Sequence, residues 1–313
     1  MFKINQDNPA KLKMVGGPVS SGGEFPASVA FSAAKNMACV VNGGEINGVQ
    51  CFKPDEKLGL IAMPNTNRSL KLPQTTPPTG PQGTVSDILF SEDSKTLLVS
   101  VKGIPPTPGF VASWDVADDG SLSADFTASP PAEGGLLPFS MSIIPGKNAV
   151  LATDAGIGFS TFDLSTIGAN GTAKSQVFPI DGQGATCWSS FSQKTTSFFL
   201  TDVRTDIVTE VAIADDLSGK IIKQYPLTPG SATIDNAIAT LPANDFLYVL
   251  AANATSIDVL ALNGQGQAAN LQTLNFGNQK GVNVSPNRLQ GMAVYVKSSV
   301  KSDKIKRVGR ERY

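Results

Sequence analysis

Short apolar runs come in pairs along this chain, each pair broken by a few small, polar or turn-forming residues. Five segments carry the pattern: 28–41, 86–101, 140–153, 189–202 and 235–251. Their turns include Ser91-Glu92-Asp93-Ser94-Lys95, Pro145-Gly146-Lys147-Asn148 and Pro242-Ala243-Asn244-Asp245. Such residues supply the dihedrals and local hydrogen bonds that reverse a strand. The apolar residues that enter the turns are Phe31, Phe90, Ile144, Phe191 and Leu241. They recur at intervals of roughly 50 residues, the range in which repeat architectures show themselves. A third strand follows in each unit, at 49–53, 110–116, 159–164, 207–213 and 257–262. A weaker fourth closes it, as at 221–225 and 271–276.

Four strands per repeat predict an all-β chain and, as its architecture, a β-propeller. Two stacked β-sandwiches are the competing arrangement, but sandwich strands do not recur in fours at this spacing. Residues 2–5 and 12–15 read as the third and fourth strands of a blade whose first half is absent. Residues 289–296 read as a lone first strand. About five complete four-stranded blades and two fragments make a seven-bladed parent the economical count. The incomplete ring then occupies 1–297. Residues 298–313 hold Lys301, Lys304, Lys306, Arg307, Arg310 and Arg312 against Asp303 and Glu311. That stretch reads as a solvated, disordered basic tail rather than an arm for nucleic acid or anionic lipid.

Composition narrows the chemistry. The chain is 41% hydrophobic and 16% charged, with a formal net charge of −1. A near-neutral balance gives no global pull toward nucleic acid. No apolar run reaches the ~18 residues a transmembrane helix needs. The chain contains no histidine. This excludes Ser-His-Asp and Cys-His nucleophiles and imidazole acid–base work, and with them histidine metal sites. Neither a metal nor a cofactor is expected.

Several stretches then resemble a known family. They are Gly16-Gly17-Pro18-Val19-Ser20-Ser21-Gly22-Gly23-Glu24-Phe25-Pro26, Val101-Lys102-Gly103-Ile104-Pro105-Pro106-Thr107-Pro108-Gly109-Phe110, Cys187-Trp188-Ser189-Ser190-Phe191, and Ile144-Pro145-Gly146-Lys147-Asn148 with its strand. Over residues 1–297 the chain resembles fungal secreted propellers similar to 3-carboxymuconate cyclase, within the lactonase-like group. The resemblance implies a seven-bladed ring, secretion, and an N-terminal signal with further strands upstream. This chain is on that reading N-terminally truncated. It also implies an upstream cysteine as the partner of Cys187. Related lactonase-type propellers carry an Arg-His pair before a first strand. The stretch here, Gly80-Pro81-Gln82-Gly83-Thr84-Val85-Ser86-Asp87, lacks it.

Cys39 and Cys51 flank a turn centred on Glu45, so the hairpin sets them opposite each other. They form either a cross-strand disulfide or two buried thiols. Four Asn-x-Ser/Thr tripeptides, at Asn67, Asn170, Asn253 and Asn283, fall in predicted turns and are candidate glycosylation sites.

In a propeller the first strands line the central channel. The residues entering them make Ser28, Ser86, Ser140, Ser189, Asn236 and Gln290 candidate channel-lining positions. Chemistry on a polycarboxylate needs cations and a proton carrier. Arg204 and Arg288 are the candidate cations, and Glu24, Asp87 and Asp235 the candidate acids. The main functional expectation is a non-catalytic extracellular or cell-wall glycoprotein with a propeller binding surface. The alternative is a lactonizing isomerase or a lactonase acting on a carboxylate-rich small molecule. The expected partner is accordingly a small carboxylate or an extracellular component.

Overall fold

The computed structural model describes residues 1–168, 171–277 and 284–297. After an N-terminal hairpin of β1 (Phe2–Ile4) and β2 (Leu12–Met14), the chain forms five antiparallel sheets in strict sequence order. Blade 1 holds β3 (Glu24–Ser32), β4 (Met37–Gly43), β5 (Gly48–Asp55) and β6 (Gly59–Ala62), with a short β7 (Arg68–Ser69) also on β5. Blade 2 holds β8 (Val85–Phe90), β9 (Thr96–Val101), β10 (Phe110–Asp115) and β11 (Thr127–Ser129). Blade 3 holds β12 (Pro138–Ile143), β13 (Ala149–Asp154), β14 (Gly158–Asp163) and β15 (Lys174–Pro179). Blade 4 holds β16 (Thr186–Ser192), β17 (Ser197–Asp202), β18 (Ile207–Ile213) and β19 (Gly219–Pro226). Blade 5 holds β20 (Thr233–Thr240), β21 (Asp245–Ala251), β22 (Ser256–Leu262) and β23 (Ala268–Asn275). These sheets fall where the repeat places them.

The core lies between blades rather than within one, as a propeller requires. Val99, Ala112 and Trp114 of blade 2 pack with Val41, Cys39 and Cys51 of blade 1. On its other face Leu98 and Val111 meet Met141, Val150 and Phe162 of blade 3. Comparable clusters join blades 3 and 4 and blades 4 and 5. The first strands β3, β8, β12, β16 and β20 pack each against the next, so they are the innermost strands.

Local chemistry fixes the strand ends. In blades 1 to 4 the turn between first and second strands places one residue in the left-handed region. Asn36, Ser94, Gly146 and Thr196 fill that slot at φ 46, 58, 72 and 55°. Gly48, at φ 141°, starts β5 where a Cβ would sit 2.0 Å from the Arg68 carbonyl oxygen, so only glycine fits. Cys39 and Cys51 face each other across β4 and β5 at a Cα separation of 4.0 Å and are disulfide-bonded. This is the close, non-hydrogen-bonded kind of antiparallel pair.

The C-terminal expectation needs correction. Residues 289–296 are not a β-strand. They follow a short 3-10 turn, Pro286–Arg288, and carry no ladder. A first strand is defined by pairing with its own second strand, and among the described residues no such partner lies beside this segment. It is held instead by single bonds from Met292 N to Asp235 Oδ2 (2.6 Å) and from the Tyr295 hydroxyl to Gln6 Oε1 (2.8 Å). The tail, 298–313, lies outside the described residues, as do Asn170 and Asn283. Asn67 and Asn253 are exposed. No helix among the described residues is long and apolar enough to cross a membrane.

Candidate functional site

First strands begin and second strands end on one face of the ring, the upper face. The register shift that opens β8, β12, β16 and β20 bulges each strand there. The bulge frees main-chain groups that side chains then satisfy. Ser100, Thr153 and Thr201 hold one equivalent position on the second strands. Ser100 and Thr153 each donate the hydroxyl to a carbonyl of the next blade's first strand, at Phe139 and Cys187, while Thr201 lies between Trp188 O of its own blade (3.2 Å) and Ile234 O of the next (3.4 Å). Ser100 and Thr153 also accept from the main-chain N–H of Asp87 and Ser140 in their own blades.

Asp87 is buried in this belt. Its carboxylate accepts from Ser28 Oγ of blade 1 (3.0 Å), from Met141 N of blade 3 (2.9 Å) and from Ile88 N (2.8 Å). Burial pushes its carboxyl up to about 6 against the pull of those donors. Asp235 holds the equivalent position in blade 5. It accepts from Asn236 N at 2.7 Å and from Met292 N. Burial raises it to about 6 as well, and the charge of Asp87 adds to the rise. Asp235 therefore grips residues 291–292 as Asp87 grips the first strand of blade 3.

The most unusual cation is Lys102, just past the end of β9. It is 6% exposed. Its ammonium donates to the Val85 carbonyl at 3.0 Å and to Ser86 Oγ, and stands 4.8 Å from the centre of the Phe139 ring. Phe139 in turn meets Trp188 edge to face. Desolvation brings Lys102 down to about 8. Cys187 is a free, buried thiol whose Sγ donates to the Ala185 carbonyl; burial pushes it up to about 12. The charge of Lys102 favours its thiolate and that of Asp235 opposes it. Lys102 also lines a cleft of about 390 Å³ between blades 1 and 2, with Leu72, Gln74, Ile104 and Phe110. In that cleft Gln74 Oε1 is buried without a hydrogen-bond partner.

The remaining candidates from sequence divide. Ser86 joins Lys102 and Ser28 joins Asp87. Ser140 and Ser189 share a hydrogen bond of 3.1 Å, and Asn236 accepts from Ser190 Oγ. Glu24 accepts from the Thr76 hydroxyl and from Ile46 N, and these donors hold its carboxyl below the usual range. Those contacts give it the work of holding a loop. Arg204 and Arg288 are exposed, and among the described residues neither side chain has a hydrogen-bond or ion-pair partner. The acids flanking Arg204 are occupied elsewhere: Asp202 caps Gly184 N and Ala185 N, and Asp206 caps Gly230 N and Ala232 N. Gln290 is exposed and donates to Asn287 O. Lys102 was not singled out because a lone lysine after a strand reads as surface charge. Its one sequence signal is its place inside Val101-Lys102-Gly103-Ile104-Pro105. Among the described residues no group of three or more His, Cys, Asp or Glu side chains is placed to hold a metal ion.

No protein-family model matches the chain, and no curated protein matches it in sequence. Solved structures do share its fold. A putative 6-phosphogluconolactonase from Bacteroides uniformis is 16% identical, with 91% of this chain and 81% of that one covered, at a TM-score of 0.65. A putative 6-phosphogluconolactonase from Bacteroides fragilis is 17% identical over 91% and 80%, at 0.62. The periplasmic gluconolactonase of Pseudomonas aeruginosa is 14% identical over 88% and 91%, at 0.57. At these identities the likeness is one of fold alone, a β-propeller.

Proposed function

We propose that the protein handles a carboxylate-bearing lactone on the upper face of the propeller, opening the ring by hydrolysis. The observation that carries this is the buried ammonium of Lys102, bonded to the Val85 carbonyl and Ser86 Oγ and standing beside the Phe139 ring. An ammonium in a dry setting binds an anion, or an oxygen that becomes one, more strongly than it would in water. Lys102 would polarise the lactone carbonyl. Asp235 would take the proton of the attacking water as the carbon–oxygen bond to the tetrahedral centre forms. Collapse breaks the ring ester bond, and the alkoxide leaving group takes a proton from Asp235. The neighbours' lactonase descriptions favour this reading over a purely non-catalytic glycoprotein.

Two observations keep the extracellular reading in second place. They are the disulfide, a bond of oxidising compartments, and the exposure of Asn67 and Asn253. An extracellular or periplasm-like location is compatible with either activity. The seven-bladed parent also stands as a proposal.

Titrimetric hydrolysis of a panel of carboxylated γ- and δ-lactones tests the catalytic reading. Turnover is expected to rise with pH as Asp235 ionises near 6 and to fall as Lys102 loses its proton near 8. Lys102→Met should lower kcat by roughly 10²–10³-fold, as when one oxyanion donor is removed. Equal rates for the wild type and Lys102→Met across the panel would reject it.

A further inference from the structure

Blades 3 and 4 stand between blades 2 and 5. On the lower face of the ring, where first strands end and second strands begin, they leave a cavity of about 370 Å³ between them. That volume falls in the range of small-molecule sites, roughly 300–1,000 Å³. Its floor is apolar: Ile144 of blade 3 with Phe191, Phe198 and Ile213 of blade 4. Ile144 and Phe198 are buried, while Phe191 and Ile213 pack against them and stay half-buried. The Phe191 and Phe198 rings stand 4.7 Å apart with a tilt of 50°. At the mouth Lys147 Nζ meets Asp215 Oδ1 at 2.8 Å, and the two side chains are 37% and 99% exposed. Such a solvated pair opens at little cost. The same strap recurs between blades 1 and 2, where Lys35 reaches Asp118. There the ammonium also donates to the Ala117 carbonyl, and the side chain is only 16% exposed. Among the described residues Lys147 has Asp215 as its one hydrogen-bond partner, so it is free to swing aside.

We propose that this cavity binds an arylalkyl ammonium, its ring on the phenylalanine floor and its charged head on Asp215. The sign of the head follows from the charges around the mouth. The charged groups lining the cavity and the cleft that adjoins it are Lys147 against Asp163, Asp215 and Asp216. Hydrogen bonds from Lys147 and Ser218 hold the carboxyls of Asp215 and Asp216 below the usual range, so both stay ionised. Asp215 Oδ2 accepts from no protein donor among the described residues. The carboxylates of Asp163 and Asp216 are bound only to Ser165 and Ser218 of their own turns. An incoming carboxylate would meet that excess of negative charge, whereas an ammonium lowers it. The aromatic body follows from the floor. A ring laid on a tilted pair of rings gains edge and face contacts beyond the area it covers. A polyhydroxylated guest would instead lose water from its hydroxyls against Phe191 and Ile213 without a hydrogen bond in return. The site lies on the opposite face from Lys102 and Asp235 and does not depend on the lactone reading.

Isothermal titration calorimetry of the full chain with 2-phenylethylammonium chloride is the test. Saturable 1:1 binding is expected. Ethylammonium, which lacks the ring, and 3-phenylpropanoate, which carries the opposite charge, should each bind about tenfold more weakly or worse. Asp215→Asn should weaken binding about fivefold. Lys147→Met should tighten it about two- to fivefold, because an exposed lysine no longer competes for the carboxylate. Both side chains project into solvent, so neither change touches the core, and circular dichroism checks that both variants fold. Three results would overturn the proposal: no saturable binding, tighter binding of 3-phenylpropanoate than of 2-phenylethylammonium, or an affinity indifferent to Asp215→Asn. Weaker binding by Lys147→Met would overturn it too, since the lysine would then hold the head group.

Discussion

Replacing Asp87 with asparagine should flatten the dependence of stability on pH. Asp87 titrates at about 6 in the folded protein and near 3.8 in the unfolded chain. Its folded value is raised, so its contribution is most favourable below 3.8 and is lost as pH rises through 6. Keeping the carboxylate ionised in the fold costs about 3 kcal/mol by that difference. Asp235 acts in the same window and sense. The acids whose values are lowered, Glu24, Asp55, Asp93, Asp119, Asp215 and Asp216, work in the opposite sense but only below about 4.5. The interval from pH 5 to 7.5 therefore belongs to the two buried acids. Urea unfolding across it should show the wild type gaining stability on acidification. Asp87→Asn should keep only the Asp235 part of that slope. It should also lose about 1–3 kcal/mol at pH 5, because an amide offers one acceptor oxygen where three donors converge. A wild type whose stability is flat or rises from pH 5 to 7.5, or an Asp87→Asn slope equal to that of the wild type, would refute the reasoning.

Other expectations follow from burial and covalent linkage. Cys187 should not react with a thiol reagent at pH 8 in the native protein and should react stoichiometrically once unfolded, as absorbance of the released thiolate will show. Cys39→Ser should destabilise the fold by about 2–4 kcal/mol, read by urea unfolding, because Cys39 and Cys51 close a loop in the unfolded chain. Leu98→Ala, at a fully buried position between blades 2 and 3, should cost about 2–5 kcal/mol in the same assay.

The propeller was legible because its strands are short and its turns carry their own residue chemistry: Phe31, Phe90 and Ile144 announce a blade before any contact is known. The site was less so. Counted from the turn, Asp87 stands three residues before Phe90 and Asp235 six before Leu241, and that offset hides their equivalence. It arises because the β20–β21 hairpin is longer, and only the register after each bulge aligns them. Lys102 was hidden for another reason. Nothing in a lysine's neighbours along the chain says that Phe139, from the next blade, will cover it. The C-terminal segment misread as a strand has suitable residues, but a strand also needs a partner, and pairing is a property of two segments.

The hydroxyls of Ser100 and Thr153 bear on where the repeating unit of such a ring begins. Each belongs to one sheet by its backbone and to the next by the carbonyl it serves. Cutting the chain at sheet boundaries would strand a buried hydroxyl on one side and a buried carbonyl on the other. Cutting between first and second strands keeps both ends of every such bond in one piece. For these hydroxyl-to-carbonyl bonds, the segment that keeps donor and acceptor together runs from the second strand of one blade through the first strand of the next. Measured by these bonds alone, the repeating unit of this fold is offset from the unit of shape.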